Sequence, residues 1–272
     1  MAIHTTAVIN PGAKIAPEVE IGPYVVIENN VTIGPGVKIW ANAYISEGTE
    51  IGESSEVHMG AVIGHFPQDL SFRKKRSYLK IGKRNIIREY ATIHRGTQEE
   101  SSTIIGDDNF IMGFVHIAHN CKIGNNVILA NAATLGGHVE VEDRAFVSVY
   151  CAIHQFVRIG AVSMISARTR LGKDLPPYML LSPARGEASI FGLNALGLRR
   201  AGFSPEVRSN IKKAYKVIYH SGLKLPEAVI RLEESNPGPE VQHLIDFMKK
   251  KTKRGLSPHI RKTLAAPVEF AE

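Results

Sequence analysis

An aliphatic residue stands at every sixth position from the start of the chain: Ile3, Ile9, Ile15, Ile21, Ile27, Ile33, Ile39, Ile45, Ile51, Val57 and Ile63. The same phase returns without exception from Ile105 through Ile111, Ile117, Ile123, Leu129, Leu135, Val141, Val147, Ile153, Ile159 and Ile165 to Leu171. A period of six is neither the 3.6 of an amphipathic helix nor the alternation of a half-buried strand. It is the hexapeptide signature of a parallel β-helix. Short strands are expected to stack from coil to coil at about 4.8 Å, with the repeated aliphatics filling one interior column. Glycine often follows the aliphatic, as in Ile21-Gly22, Ile33-Gly34, Ile51-Gly52 and Ile123-Gly124, which predicts tight corners where the backbone needs a freedom that a Cβ denies.

The phase breaks twice, at GHFPQDLSFRKKRSYLK between Ile63 and Ile81 and at HRGTQEESSTI between Ile93 and Ile105. Both read as loops, over about 64–80 and 94–104, and such excursions tend to gather on the functional face of a repeat protein. After Leu171 the adjacent Pro176 and Pro177 cannot continue a ladder. Helical spacing follows. Ser204-Pro205 caps a helix carrying Val207, Ile211, Ala214 and Ile218, closed by Gly222; a second runs over about Pro226 to Glu234, and a third carries Val241, Leu244, Ile245 and Met248. The expected division is a β-helix over 1–187 and a helical domain over 188–272, ending in a loose tail from about Thr263.

Counting hexads through the second break with six extra residues sets His94 and His119 19 residues apart, the same separation as His119 and His138. With three hexads to a turn, these histidines form a ladder on neighbouring coils, with His116 and His154 bordering the same groove. Imidazole titrates near neutrality and, when neutral, takes a proton from a hydroxyl. Gly136-Gly137 directly precedes His138, so a bare backbone N–H could meet a developing oxyanion. That combination describes acyl transfer. His116-x-x-His119 with an imidazole on the next coil would also suit a three-histidine zinc site, and a bland reading leaves some of these histidines as hydrogen-bonded wall residues.

Composition changes this picture in four ways. An apolar content of 44% in 272 residues is that of an ordinary folded protein rather than a disordered chain. No signal-like layout or long apolar run occurs, so a cytoplasmic protein without a membrane segment is expected. Cys121 and Cys151 both fall four residues after a repeat aliphatic, the place of a buried small side chain rather than a disulfide or nucleophile. The net charge of +7 suits an acidic partner. Basic residues such as Arg199, Arg200, Arg208, Lys212, Lys249 and Lys253 collect in the helical region, and the Arg73–Arg76 run reads more plainly as a solvated loop than as a nucleic-acid patch.

The segments IHRGT, HIAHNCKIGNNVILANAATLGGHV and IHQF, with QDL, DLPPY, FGLN, GLRR and TKRGL, closely resemble the UDP-N-acetylglucosamine 3-O-acyltransferase family of lipid A biosynthesis over nearly the whole length. The resemblance implies a left-handed parallel β-helix followed by a small α-helical domain, assembled as a homotrimer with sites between subunits and no cofactor or metal. It implies that His119 is the general base on the sugar 3-hydroxyl, which attacks the thioester of a 3-hydroxyacyl chain on acyl carrier protein, and that the Gly137 N–H stabilises the oxyanion. Asp69, His94, His116, His138, Gln155, Asn194 and Arg200 fall where the family holds the nucleotide sugar and acyl chain, with His154 nearby. Ala167 aligns with the residue that limits acyl length. Three positions depart from the family: Asn120 stands where Asp is common, Ser71 where Lys is common and Leu196 where an acidic residue is common. The last two leave open a 3-amino acceptor. The rival readings are the related N-acyltransferase of the same pathway, a γ-class carbonic anhydrase on the same scaffold, and a non-enzymatic β-helix with a basic interaction domain.

Overall fold

A computed structural model describes residues 2–184 and 187–260; the expected tail lies outside the described residues. The hexads fold as expected. Two- to four-residue strands ending on the repeat aliphatics build three parallel walls, each containing every third strand: wall A from Ala2–Ile3, wall B from Val8–Ile9 and wall C from Lys14–Ile15. The chain is a left-handed parallel β-helix whose aliphatic column, from Ile21 to Leu171, is almost wholly removed from solvent. A regular lap is 18 residues long, as where Ile117 pairs with Leu135. Ile63 pairs with Ile93 and Ile93 with Ile117, so the first excursion adds 12 residues to a lap and the second adds six.

Strand ends absorb part of each excursion. The strands Val62–His65 and Tyr78–Ile81 confine the first loop to 66–77, and Thr92–His94 and Ser102–Ile105 confine the second to 95–101.

The corners correct the glycine expectation. Left-handed backbone recurs three residues after the aliphatic, mostly on residues with side chains: Tyr24, Asn42, Tyr90, Asn120 and His138 all have φ between 57° and 60°. Each costs roughly 1–2 kcal/mol in isolation, offset here by the coil-to-coil ladder. The glycine directly after the aliphatic answers a different demand, the nearness of the next coil. A Cβ on Gly34 would lie 2.8 Å from the Glu53 nitrogen, and one on Gly52 2.5 Å from the Gly82 carbonyl carbon.

The solenoid ends in an antiparallel hairpin, Met179–Ala184 with Glu187–Leu193, added to wall A. The hairpin crosses the division expected at 187/188, and helices begin only at Ala195. They are α1 (Ala195–Arg200), α2 (Pro205–His220), α3 (Leu225–Glu234) and α4 (Pro239–Lys249). Ser204 Oγ caps α2 by accepting from the Val207 N–H, and Ile211, Ala214, Leu232, Val241 and Leu244 close the helical core. A buried ion pair joins the two parts. Arg158 Nε donates to Asp174 Oδ2 at 2.8 Å, and the Arg158 guanidinium lies over the Phe247 ring of α4. The segment after α4 returns to the solenoid, where Ser257 N–H donates to the Asp174 carbonyl.

Candidate active site

His119 occupies the edge between walls B and C, between the strands His116–Ile117 and Lys122–Ile123. Its neighbours decide its tautomer. Asn120 Oδ1 lies 3.1 Å from the Thr97 backbone nitrogen, 2.9 Å from Thr97 Oγ1 and 3.0 Å from His119 Nδ1. A backbone N–H only donates, so the atom facing it is the amide oxygen, which only accepts; His119 Nδ1 therefore carries the proton. The Nε2 lone pair is left free. It faces Asp69 Oδ2 at 3.9 Å, and the His119 side chain is only 15% exposed. Asp69 is itself held from the other side, where Oδ1 accepts from the Ser71 N–H and hydroxyl at 2.8 and 2.7 Å. Those two bonds, aided by the nearby imidazole of His119, keep the Asp69 carboxyl below its usual range.

Gly137 lies one coil up, against the face of His119: a Cβ there would fall 2.5 Å from Cε1 and 2.6 Å from Nε2. Glycine is required at this position because an imidazole occupies the space. The Gly137 carbonyl accepts from the Phe156 N–H, while its own N–H, beside the imidazole, donates to no group among the described residues. Gly136 is also held, since its N–H donates to the Ile153 carbonyl and a Cβ would meet the Gln155 nitrogen at 2.8 Å.

The histidines do not form one even ladder. His119 and His138 meet edge to face with ring centres 5.2 Å apart, and His138 stacks on Phe156 at 4.8 Å. His94 instead meets His116, at 5.1 Å. His94 is the first residue after Ile93 and His119 the second after the paired Ile117, so the two are offset by one position in the register. His94 Nδ1 donates to the Phe66 carbonyl at 2.7 Å, which leaves its buried Nε2 as an acceptor with no partner among the described residues. Burial, with the neighbouring imidazole of His94, pushes the His116 pKa down to about 4. Burial, then the charges of His119 and Lys253, also lowers His138. Both therefore stand neutral at physiological pH. His154 and Gln155 are exposed on the same edge one coil above Gly137.

Three expected site residues lie on other edges of the same chain. Ala167 is exposed at the corner between walls A and B, after Met164–Ile165. Asn194 is buried near the edge between walls C and A, where its Nδ2 donates to the Val162 carbonyl and its Oδ1 accepts from Gly197 N–H to cap α1. Arg200 is exposed in the last turn of α1. Among the described residues no three His, Cys, Asp or Glu side chains converge as a metal site. Cys121 and Cys151 are both free and buried. Cavities of about 640 and 430 Å³ lie elsewhere, between α2 and the terminal segment and along wall C. The histidine edge brings together an imidazole with a free Nε2, a backbone N–H without a partner among the described residues, and a carboxylate.

Three further residues, Phe156, Thr97 and Lys253, belong to this edge. Phe156 follows His138 by one regular lap and was legible from the register alone. Thr97 belongs to an excursion and Lys253, whose ammonium lies 4.0 Å from the Phe156 ring centre, to a segment with no period; neither carried a positional signal.

The family model described as Udp N-acetylglucosamine O-acyltransferase, domain 2, matches residues 174–257, and the bacterial transferase hexapeptide model matches 3–35, 30–65 and 102–137. An acyl-[acyl-carrier-protein]–UDP-N-acetylglucosamine O-acyltransferase of Thermodesulfovibrio yellowstonii is 47% identical over 93% of this chain and 98% of that relative. One from Paraburkholderia phymatum is 47% identical over the same shares. The UDP-N-acetylglucosamine acyltransferase structure from Francisella novicida superposes with a TM-score of 0.90 at 37% identity, covering 99% of this chain and 100% of that one. That from Bacteroides fragilis gives 0.88 at 41%, covering 95% and 100%.

Proposed function

The chain belongs to the UDP-N-acetylglucosamine O-acyltransferase family, and from that premise we propose that the edge around His119 carries the family reaction, transfer of an acyl chain from acyl carrier protein to UDP-N-acetylglucosamine in the first step of lipid A biosynthesis. The observation that carries this assignment is the free Nε2 of His119 beside the Gly137 N–H and the Asp69 carboxylate. The sugar 3-hydroxyl donates its proton to Nε2 as its oxygen attacks the thioester carbonyl. The resulting oxyanion accepts from Gly137 N–H, a contribution of roughly 3–4 kcal/mol for a well-aimed donor. Collapse expels the carrier thiolate, which takes the proton back from His119, so ester and thiol leave with the base regenerated. Asp69 stabilises the transient imidazolium across 3.9 Å, by on the order of 1–4 kcal/mol between bulk-water and near-surface screening. A sugar hydroxyl also satisfies its free oxygen. Neutral His94, His116 and His138 supply hydrogen bonds without competing charge.

The other expected residues enter from further copies of the chain. Ala167, Asn194 and Arg200 lie on other edges than His119, and a closed ring of copies sets one copy's edge against the wall of the next. Wall A supports this. Its outward residues Ile86, Phe110, Ile128, Phe146 and Met164 stack in register from coil to coil and leave an apolar stripe, with Ile86 39% exposed, of the kind that marks an interface. The assembly is a homotrimer, tested by light scattering for three times 29.8 kDa. In it, Ala167 bounds the acyl tail and Arg200 meets the nucleotide. The basic helices present their charge to the acidic carrier protein. The enzyme works in the cytoplasm; among the described residues no helix is long and apolar enough to cross a membrane.

The test is an acyl-transfer assay with a panel of 3-hydroxyacyl carrier proteins and with acceptors bearing a 3-hydroxyl or a 3-amino group. His119→Ala should lose about 10²–10⁴-fold in kcat with unchanged folding. Retention of activity removes His119 as the base, and a preference for the amine reassigns the acceptor.

A further inference from the structure

Below the histidine edge, outside the residues assigned to the reaction, a group of polar side chains is buried in the wall. Arg95 is 4% exposed, an unusual place for a guanidinium that has no direct carboxylate partner among the described residues. Its Nε donates to the Gly64 carbonyl at 2.8 Å and an Nη to Ser46 Oγ at 3.0 Å, while its plane lies 4.9 Å from the Phe66 ring centre. The Arg95 N–H also donates to the His65 carbonyl. One countercharge arrives through a hydroxyl, and the Glu47 carboxylate supplies another through space. Ser46 Oγ, which accepts from Arg95, donates to Glu28 Oε2 at 2.8 Å; the Tyr44 hydroxyl and the Glu47 N–H donate to the same carboxylate. The Glu28 carboxylate, three coils down through Ile63, Ile45 and Ile27, thus joins Glu47 in balancing a buried cation without touching it.

Apart from Ser46, every group that Arg95 holds lies at the root of the first excursion. Gly64, His65 and Phe66 are the residues from which that loop departs, and Phe66 packs on Phe72 farther along it at 5.7 Å between ring centres. Both loop ends are tied to the Arg95 segment, because Ser77 Oγ donates to the Gly96 carbonyl at 2.7 Å. Two residues beyond Arg95, Thr97 orients Asn120 and through it His119. The short run Arg95-Gly96-Thr97 therefore touches the root of the loop carrying Asp69 and the support of the imidazole that Asp69 faces.

We propose that Arg95, held by Glu28 through Ser46, is a positioning residue that sets the first excursion so that Asp69 stands opposite His119. This rests on the assignment of Asp69 and His119 to the reaction. A buried cation suits the task because its several donors bind backbone carbonyls from separate turns at once. Removing Glu28 takes away one of the two carboxylates that compensate that cation, together with the acceptor that fixes Ser46, so the loop root is expected to loosen although Glu28 lies far below the reacting atoms.

The experiment compares Arg95→Met and the milder Glu28→Gln with the parent chain, each also in an Asp69→Asn background. It measures kcat/KM for UDP-N-acetylglucosamine and backbone hydrogen exchange over 66–77. A latch predicts tenfold or faster exchange in the loop with protection of the Ile105–Leu171 coils retained. It also predicts a loss of about tenfold in kcat/KM that shrinks below twofold once Asp69 is Asn, since coupled residues are not additive. Unchanged loop exchange, or an equal loss in both backgrounds, overturns the proposal. If Asp69→Asn alone leaves kcat/KM at the parent value, the place of Asp69 in the site falls, and the loop exchange by itself decides whether Arg95 holds the loop.

Discussion

Gly137→Ala isolates the contribution of the His119 ring position, because alanine keeps the N–H that meets the oxyanion and adds only a methyl group. No left-handed φ is involved at this residue, so the backbone itself tolerates alanine. The methyl would lie 2.5 Å from Cε1 and 2.6 Å from Nε2 of His119, so the ring must retreat by about 1 Å to regain ordinary van der Waals contact. It cannot retreat freely, since Nδ1 is held by Asn120 and the ring edge meets His138. A displacement of about 1 Å at a reacting group costs on the order of 10²-fold, or roughly 3 kcal/mol of barrier. The assay is initial-rate acyl transfer to UDP-N-acetylglucosamine, with thermal unfolding measured in parallel. Gly172→Ala serves as the control, because a Cβ there meets nothing within 4 Å. Gly137→Ala with full activity at an unchanged Tm would refute the placement of chemistry at this imidazole. A fall in Tm matching the fall in activity would make Gly137 a packing residue instead.

Asn120→Asp replaces a neutral acceptor beside His119 Nδ1 with a carboxylate, which favours the protonated ring; the acid limb of the kcat–pH profile should move to higher pH, and an unmoved limb would argue that Asn120 does not face the base in solution. His116, whose pKa is held down to about 4 by burial, binds a proton in the unfolded chain before it does in the folded one. Its contribution to stability is therefore complete above about pH 6.5 and is lost as pH falls toward 4, so Tm should drop over that window less in His116→Asn than in the parent. His243 behaves in the opposite sense, because the hydrogen bond to Glu142, partly opposed by burial, raises its pKa. The stability from that pair is present below the unfolded imidazole pKa and lost as pH rises through the raised folded value; Glu142→Gln should abolish this dependence in thermal melts. Burial pushes the Cys121 thiol up to about 12, so neither cysteine should react with a thiol reagent until the protein is denatured; rapid labelling of the native chain would contradict the packing of the interior.

The extent of the solenoid was legible because one side-chain demand, an aliphatic pointing inward at each wall, repeats in sequence at the same interval as in space. Phe156 above His138 follows from the same counting. Prediction weakened wherever the period lapsed. The hairpin Met179–Ala184/Glu187–Leu193 and helix α1 carry no hexads and too few turns for a helical pattern to declare itself. The pairing of His94 with His116 rests on the one-position offset of His94 from His119 after the paired Ile93 and Ile117 and on side-chain direction, which spacing alone does not set.

By itself the sequence determined the laps, the inward column and the edge on which the histidines fall, since these depend only on residue spacing and on the exclusion of aliphatic side chains from water. The tertiary structure decided the rest: that Thr97 forces the Asn120 oxygen toward His119 and so frees Nε2, that Gly137 is glycine because the imidazole lies on it, and that Asp69 and Arg95 are gathered by loops of irregular length. Those outcomes depend on distances of a few tenths of an ångström between groups far apart along the chain, and a repeat fixes which residues are neighbours without fixing the hydrogen bonds they make.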